Sequence, residues 1–64
     1  MEDIGTEIML QRRKKKYKQF QLAALLGVTS TYLSMVETGR IKPTQKFIEK
    51  CADILGFKFN GKEQ

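Results

Sequence analysis

The stretch TSTYLSM, residues 29–35, sets hydroxyls and one thioether at helical spacing. On a helix, Ser30, Thr31, Ser34 and Met35 fall on an outer face that is polar and nearly uncharged, while Leu33 and Val36 turn inward. Hydroxyls both donate and accept, so this face is either an ordinary solvated surface or one that meets a hydrogen-bonding partner. A second chemical feature precedes it. RRKKKYK packs six cations into Arg12–Lys18, and twelve Lys and Arg against seven Asp and Glu leave a formal charge of +5. Such a run suits an anionic partner, with nucleic acid ahead of membrane lipid or acidic protein; the alternative is a solvated, solubilising helix end.

Catalysis has little to work with. The chain has no histidine, and its one cysteine, Cys51, makes neither a zinc site nor an internal disulfide. No glycine-rich phosphate loop or carboxylate pair appears at a recognisable site, and the serines have no base partner. The chain reads as a non-enzyme with no metal and no cofactor. Its 64 residues form one small domain, 1–64, with no room for a large catalytic cleft. No apolar run approaches the roughly 18–20 residues of a membrane span, and MEDIGTEIML is acidic where a signal peptide would be basic. These features predict a soluble, intact, cytoplasmic protein without membrane contact.

The elements that position these residues are helical. Breaks at KKYKQ, LGVT, ETGRIKP and LGF divide the chain into four helical stretches and a tail over 56–64. The first helix is predicted from about Asp3 to Lys15 or Lys16, with Ile4, Ile8 and Gln11 on one face and Met9 and Leu10 elsewhere. The second, about Gln19–Leu26, presents Leu22, Ala23 and Leu26 together. Gly27 then takes the left-handed residue that ends it. Thr29 is the expected N-cap of the third helix, about Ser30–Glu37, with Val28 and Leu33 forming a hydrophobic staple. Pro43 leads into a fourth helix, about Thr44–Leu55, turning Ile48, Cys51, Ala52 and Leu55 inward. FKFN alternates like a strand but is too short to stand alone. Phe47, Phe57 and Phe59 either close the core or make a dimer contact.

Two short helices joined by so tight a turn cross steeply and hold one another rigid, which leaves one free to project. That is the geometry that inserts a helix into the DNA major groove. The unit, about 19–37, resembles the helix-turn-helix family of phage Cro and repressor proteins, also called XRE-like. The likeness runs from about Ile8 to Leu55 and rests on QFQLAALLGVTSTYLSMVETGRIKP. Gln19, the Leu22–Ala23 pair, Gly27, Thr29, Leu33, Val36, Glu37, Gly39 and Pro43 all stand at the family's intervals.

The resemblance implies an all-α, four- or five-helix, lambda-repressor-like domain. Its partner is double-stranded DNA and its role transcriptional regulation, most simply repression by occupying an operator. Ser30, Thr31 and Met35 match base-reading positions, with Tyr32 and Ser34 beside them; Met35 and the Thr31 methyl can meet a thymine methyl. Gln19, Lys18, Thr29, Arg40, Lys42 and Thr44 match positions that grip the DNA backbone. Arg12 and Glu37 match a family ion pair that orients the reading helix. A homodimer on two half-sites about one DNA turn apart is expected, its interface drawn from the fourth helix and the GFKFN tail. The alternative function is a protein-interaction module on the same fold, such as an antitoxin that binds a toxin partner and regulates its own promoter. Three departures stand out. Lys18 replaces the usual Ser or Thr N-cap of the second helix, Gln11 replaces an apolar residue, and the reading face lacks Arg, Gln and Asn.

Overall fold

The structure is a computed structural model that describes residues 4–57. Among these the chain forms four α-helices and no strand: α1 (Ile4–Lys14), α2 (Gln19–Leu26), α3 (Ser30–Glu37) and α4 (Gln45–Leu55). The all-α expectation holds. Of the tail and the strand-like FKFN, only Gly56 and Phe57 fall among the described residues, and Phe57 packs against the core.

The α2–α3 turn forms for local reasons. Gly27 adopts φ 76, and its N–H and that of Val28 return to the carbonyls of Ala24 and Ala23 at 3.2 and 3.0 Å. This is a Schellman closure, which reverses the chain within two residues. Thr29 Oγ1 accepts the Tyr32 N–H at 3.0 Å, so α3 starts at once. At the start of α2, where Lys18 replaces the usual Ser or Thr cap, the helix end is closed from within: Gln21 Oε1 accepts the Lys18 backbone N–H at 2.8 Å. The Lys18 ammonium has no lone pair to return the bond, so this is half of a capping box.

All four helices feed one core of Ile8, Leu22, Ala23, Leu26, Leu33, Val36, Phe47, Cys51 and Leu55. The predicted inner face of α4 needs correction, because Phe47, Cys51 and Leu55 are buried whereas Ile48 and Ala52 are only half-buried. The helix also begins one residue later than expected, with Thr44 as N-cap accepting the Phe47 N–H at 3.1 Å. Phe47 is drawn in by a partner on α3, since the Tyr32 ring meets it edge-on with centroids 5.5 Å apart. Burial, and secondarily the Glu37 carboxylate, pushes the Cys51 thiol up to about 12. It therefore stays a protonated packing group at ordinary pH.

α1 ends at Lys14 rather than Lys15 or Lys16. Lys16 takes a left-handed conformation, φ 64, and the Lys16 and Tyr17 N–H groups return to Arg13 and Arg12 carbonyls. The loop that follows is thereby tied to the last turn of α1.

Candidate nucleic-acid interface

The outer face of α3 lines an open concavity of about 440 Å³ whose walls are Gln19, Ser30, Thr31, Ser34, Met35, Thr38 and Arg40. Four of the five expected base-reading residues meet here: Ser30, Thr31, Ser34 and Met35. Tyr32 stands apart, its ring turned toward α4 and packed on Phe47. Of the expected backbone-gripping residues, Gln19 and Arg40 border the concavity. Lys18, Thr29, Lys42 and Thr44 are exposed at the entries and exits of α2, α3 and α4. The Thr29 and Thr44 hydroxyls serve as N-cap acceptors, and each keeps its own proton to donate outward.

The helix α3 is fixed from behind by a buried polar hub. Arg12 grips Glu37 with two bonds, Nε to Oε2 at 2.7 Å and Nη2 to Oε1 at 3.2 Å. Arg12 Nη1 also donates to the Tyr17 carbonyl at 3.0 Å, and Gln19 Nε2 donates to Glu37 Oε1 at 3.1 Å. One carboxylate at the end of α3 thus collects α1, the α1–α2 loop and the start of α2. The side chains of Arg12 and Glu37 are 11% and 3% exposed. At such burial an ion pair specifies geometry more than it adds net stability. The predicted ion pair is present, and Arg12 is committed to it.

The basic run therefore divides by role. Arg12 is internal, and the Lys15 ammonium reaches the C-terminal end of α4 beside Gly56, where the helix dipole favours a cation. Arg13, Lys14, Lys16 and Lys18 are exposed. From Ile8 to Val36 the chain carries no Asp or Glu at all. Arg40 is the cation among the residues that line the concavity, and the exposed Lys18 precedes Gln19 in the chain. A polyanion meets no repelling charge on this side of α3.

Two contributors to the site were not foreseen. Thr38 borders the concavity, and its hydroxyl lies 3.0 Å from the Ser34 carbonyl and 3.3 Å from that of Met35. In sequence it reads only as a helix end. Beyond it the chain turns through Gly39, so that the Arg40 N–H binds the Met35 carbonyl at 2.8 Å and brings Arg40 back to the rim. Gly5, in α1, packs directly on the backbone at the end of α3. A glycine inside an untidy helical pattern gives no sign of such a contact. Among the described residues no His, Cys, Asp or Glu cluster could hold a metal ion, and no helix is long and apolar enough to cross a membrane.

A short helix, a tight glycine turn and a second short helix with an exposed, largely polar face make up a helix-turn-helix. The chain belongs to that family: the helix-turn-helix model matches residues 8–61, and the pattern is of the XRE type. It is also similar to the "ImmF control region 10 kDa protein" of Bacillus phage phi105, with 35% identity over 57 residues. Those residues are 89% of this chain and 63% of that protein, so the chain spans less than two thirds of that relative's length. No solved structure matches.

Proposed function

We propose that the protein is a sequence-specific transcriptional regulator, a repressor, that docks α3 in the major groove of its operator as a homodimer. The observation that carries this reading is the concavity on α3, lined by uncharged side chains and one cation, Arg40, with no acidic residue, and braced by the Arg12–Glu37–Gln19 hub. Ser30, Thr31, Ser34 and Met35 face the base edges. Gln19 uses one amide proton on Glu37 and has a second for a phosphate. Lys18, Arg40 and Lys42 supply charge to the DNA backbone, and the Thr29 and Thr44 hydroxyls donate beside helix N-termini, where phosphate is favoured. The control-region name of the phage relative supports a regulatory role. Each subunit reads only a few base pairs, which supports two subunits on two half-sites.

Selection of bound duplexes from a randomised pool, at moderate and at high salt, tests this reading. Recovery of a short palindrome is the expected result, and unenriched DNA that salt releases would overturn it. On the recovered site, Lys42→Ala should weaken all sequences alike and flatten the slope of log K against log salt by about one. Thr31→Ala should instead change the preference at one base position by about 1 kcal/mol or more. If Thr31→Ala weakens every sequence equally, the assigned reading face is wrong.

A second reading, the protein-interaction module, is favoured by the outer arc of α2. Phe20 and Leu25 are 63% and 49% exposed there, next to Ala24, and α2 carries no charge. DNA affinity that falls steeply with salt supports the first reading. Absence of DNA binding at moderate salt would leave the α2 arc as the functional surface.

A further inference from the structure

We infer that the α3 face reads thymine methyl groups, with Met35 the residue that sets the preference, so that the favoured half-site carries thymine at the one or two positions that Met35 and Thr31 meet. This rests on the proposed docking of α3 in the major groove.

The side chains of α3 form two rows, because residues four apart stand one above the other on a helix. Ser30 and Ser34 make a hydroxyl row. Thr31 and Met35 make an apolar one, a methyl and a thioether one turn apart, both bordering the concavity. Two of the three other polar side chains there already have partners. The Gln19 amide is tied to Glu37, and the Thr38 hydroxyl lies against the Ser34 and Met35 carbonyls. Along the two rows there is no amide or guanidinium to make a paired contact with guanine O6 and N7 or adenine N6 and N7. Arg40 stands at the rim, beyond the end of α3.

Hydroxyls accept or donate at any base edge, so the Ser30–Ser34 row discriminates weakly. The apolar row discriminates by another property. The thymine C5-methyl is the one apolar group that the major-groove edges of the four bases present. Met35 is half-buried and its unbranched, polarisable thioether adapts to close contact with a methyl. Thr31, exposed, sets its own methyl one turn nearer the start of the helix.

Deoxyuridine in place of thymine removes only the methyl and keeps every hydrogen-bonding group. With the full chain and the duplex recovered from the pool, each thymine is replaced by deoxyuridine in turn and the affinity measured at one salt concentration. At one or two positions in each half-site the affinity should fall about three- to fivefold, the value of one buried methyl group. In Met35→Ala the effect at one of those positions should vanish. In Thr31→Ser, which keeps the hydroxyl and removes only the methyl, it should vanish at the other. Thr31→Ser touches no packing, so it keeps the test decisive even if Met35→Ala unfolds. A specific duplex bound equally well with uracil throughout would overturn methyl reading and leave the docking intact. A uracil effect that persists in both variants would overturn the assignment to Met35 and Thr31. Failure to enrich any sequence would overturn the docking, and methyl reading with it.

Discussion

Replacing Arg12 by methionine should destabilise the fold by about 3 kcal/mol or more, a melting temperature lower by about 12–24 °C. The methionine fills the space of the aliphatic stem, but it leaves a buried Glu37 carboxylate that has lost both of its Arg12 bonds and keeps the one from Gln19. A domain of this length has about 3–10 kcal/mol in total, so much of the variant will be unfolded at 37 °C. Glu37→Leu should cost less. It strands Arg12, which still donates to the Tyr17 carbonyl and is the more exposed of the two. The double variant Arg12→Met with Glu37→Leu should recover most of the loss, because a buried pair is held against a desolvation penalty that an apolar pair does not incur. It should not recover DNA affinity in full, since Gln19 has lost the carboxylate that fixes it to α3. Thermal melts of the three variants, together with the affinity of the double variant for the selected duplex, check each step. A single Arg12→Met variant that melts within about 2 °C of the parent would show that the hub contributes nothing to the fold.

The hub was legible in the sequence only through the family likeness, whereas the turn it braces was legible from local chemistry. Gly27 and Thr29 announce the turn because one supplies the left-handed residue and the other a hydroxyl cap. Both devices act within a few residues. Leu22, Ala23, Leu26, Leu33 and Val36 follow the helical period and are buried as expected. On α4 the period alone admits two inner faces, one centred on Ile48 and Ala52 and one on Phe47. The choice is made by Tyr32 from another helix, which no local pattern shows. The same cause moves Tyr32 off the concavity, because one ring cannot both pack on Phe47 and line the outer face. Ser30, Thr31, Ser34 and Met35 come together as read, since a single helix fixes their relation. The six cations of Arg12–Lys18 do not act as one patch. Arg12 and Lys15 are drawn to Glu37 and to the end of α4 by contacts far away in sequence. What escaped the sequence was close approach between elements, and Gly5 is the sharpest case.

Gly5→Ala should destabilise by about 2 kcal/mol or more, where helix propensity alone favours alanine by about 1 kcal/mol. A Cβ at position 5 would run into the Val36 carbonyl oxygen, and it would stand 3.1 Å from the Val36 carbonyl carbon and 3.2 Å from the Glu37 carbonyl oxygen. The obstacle is backbone, which cannot swing aside as the end of a side chain can. α1 and α3 would have to part, and Arg12 and Glu37 are the pair that bridges them. The displacement therefore strains the hub and tilts the reading helix, so DNA affinity should fall even at temperatures where the variant is fully folded. Gly27→Ala provides the contrast. Its left-handed φ penalises alanine by about 1 kcal/mol, yet nothing lies within 4 Å of the added methyl. The sequence points to Gly27 as the glycine that matters, and the packing makes Gly5 the more sensitive of the two. Melting curves of both variants decide the order. Stabilisation by Gly5→Ala, as propensity alone requires, would mean that α1 and α3 stand farther apart than their backbones do here, and the rigid support of the reading helix would have to come from the α2–α3 turn alone.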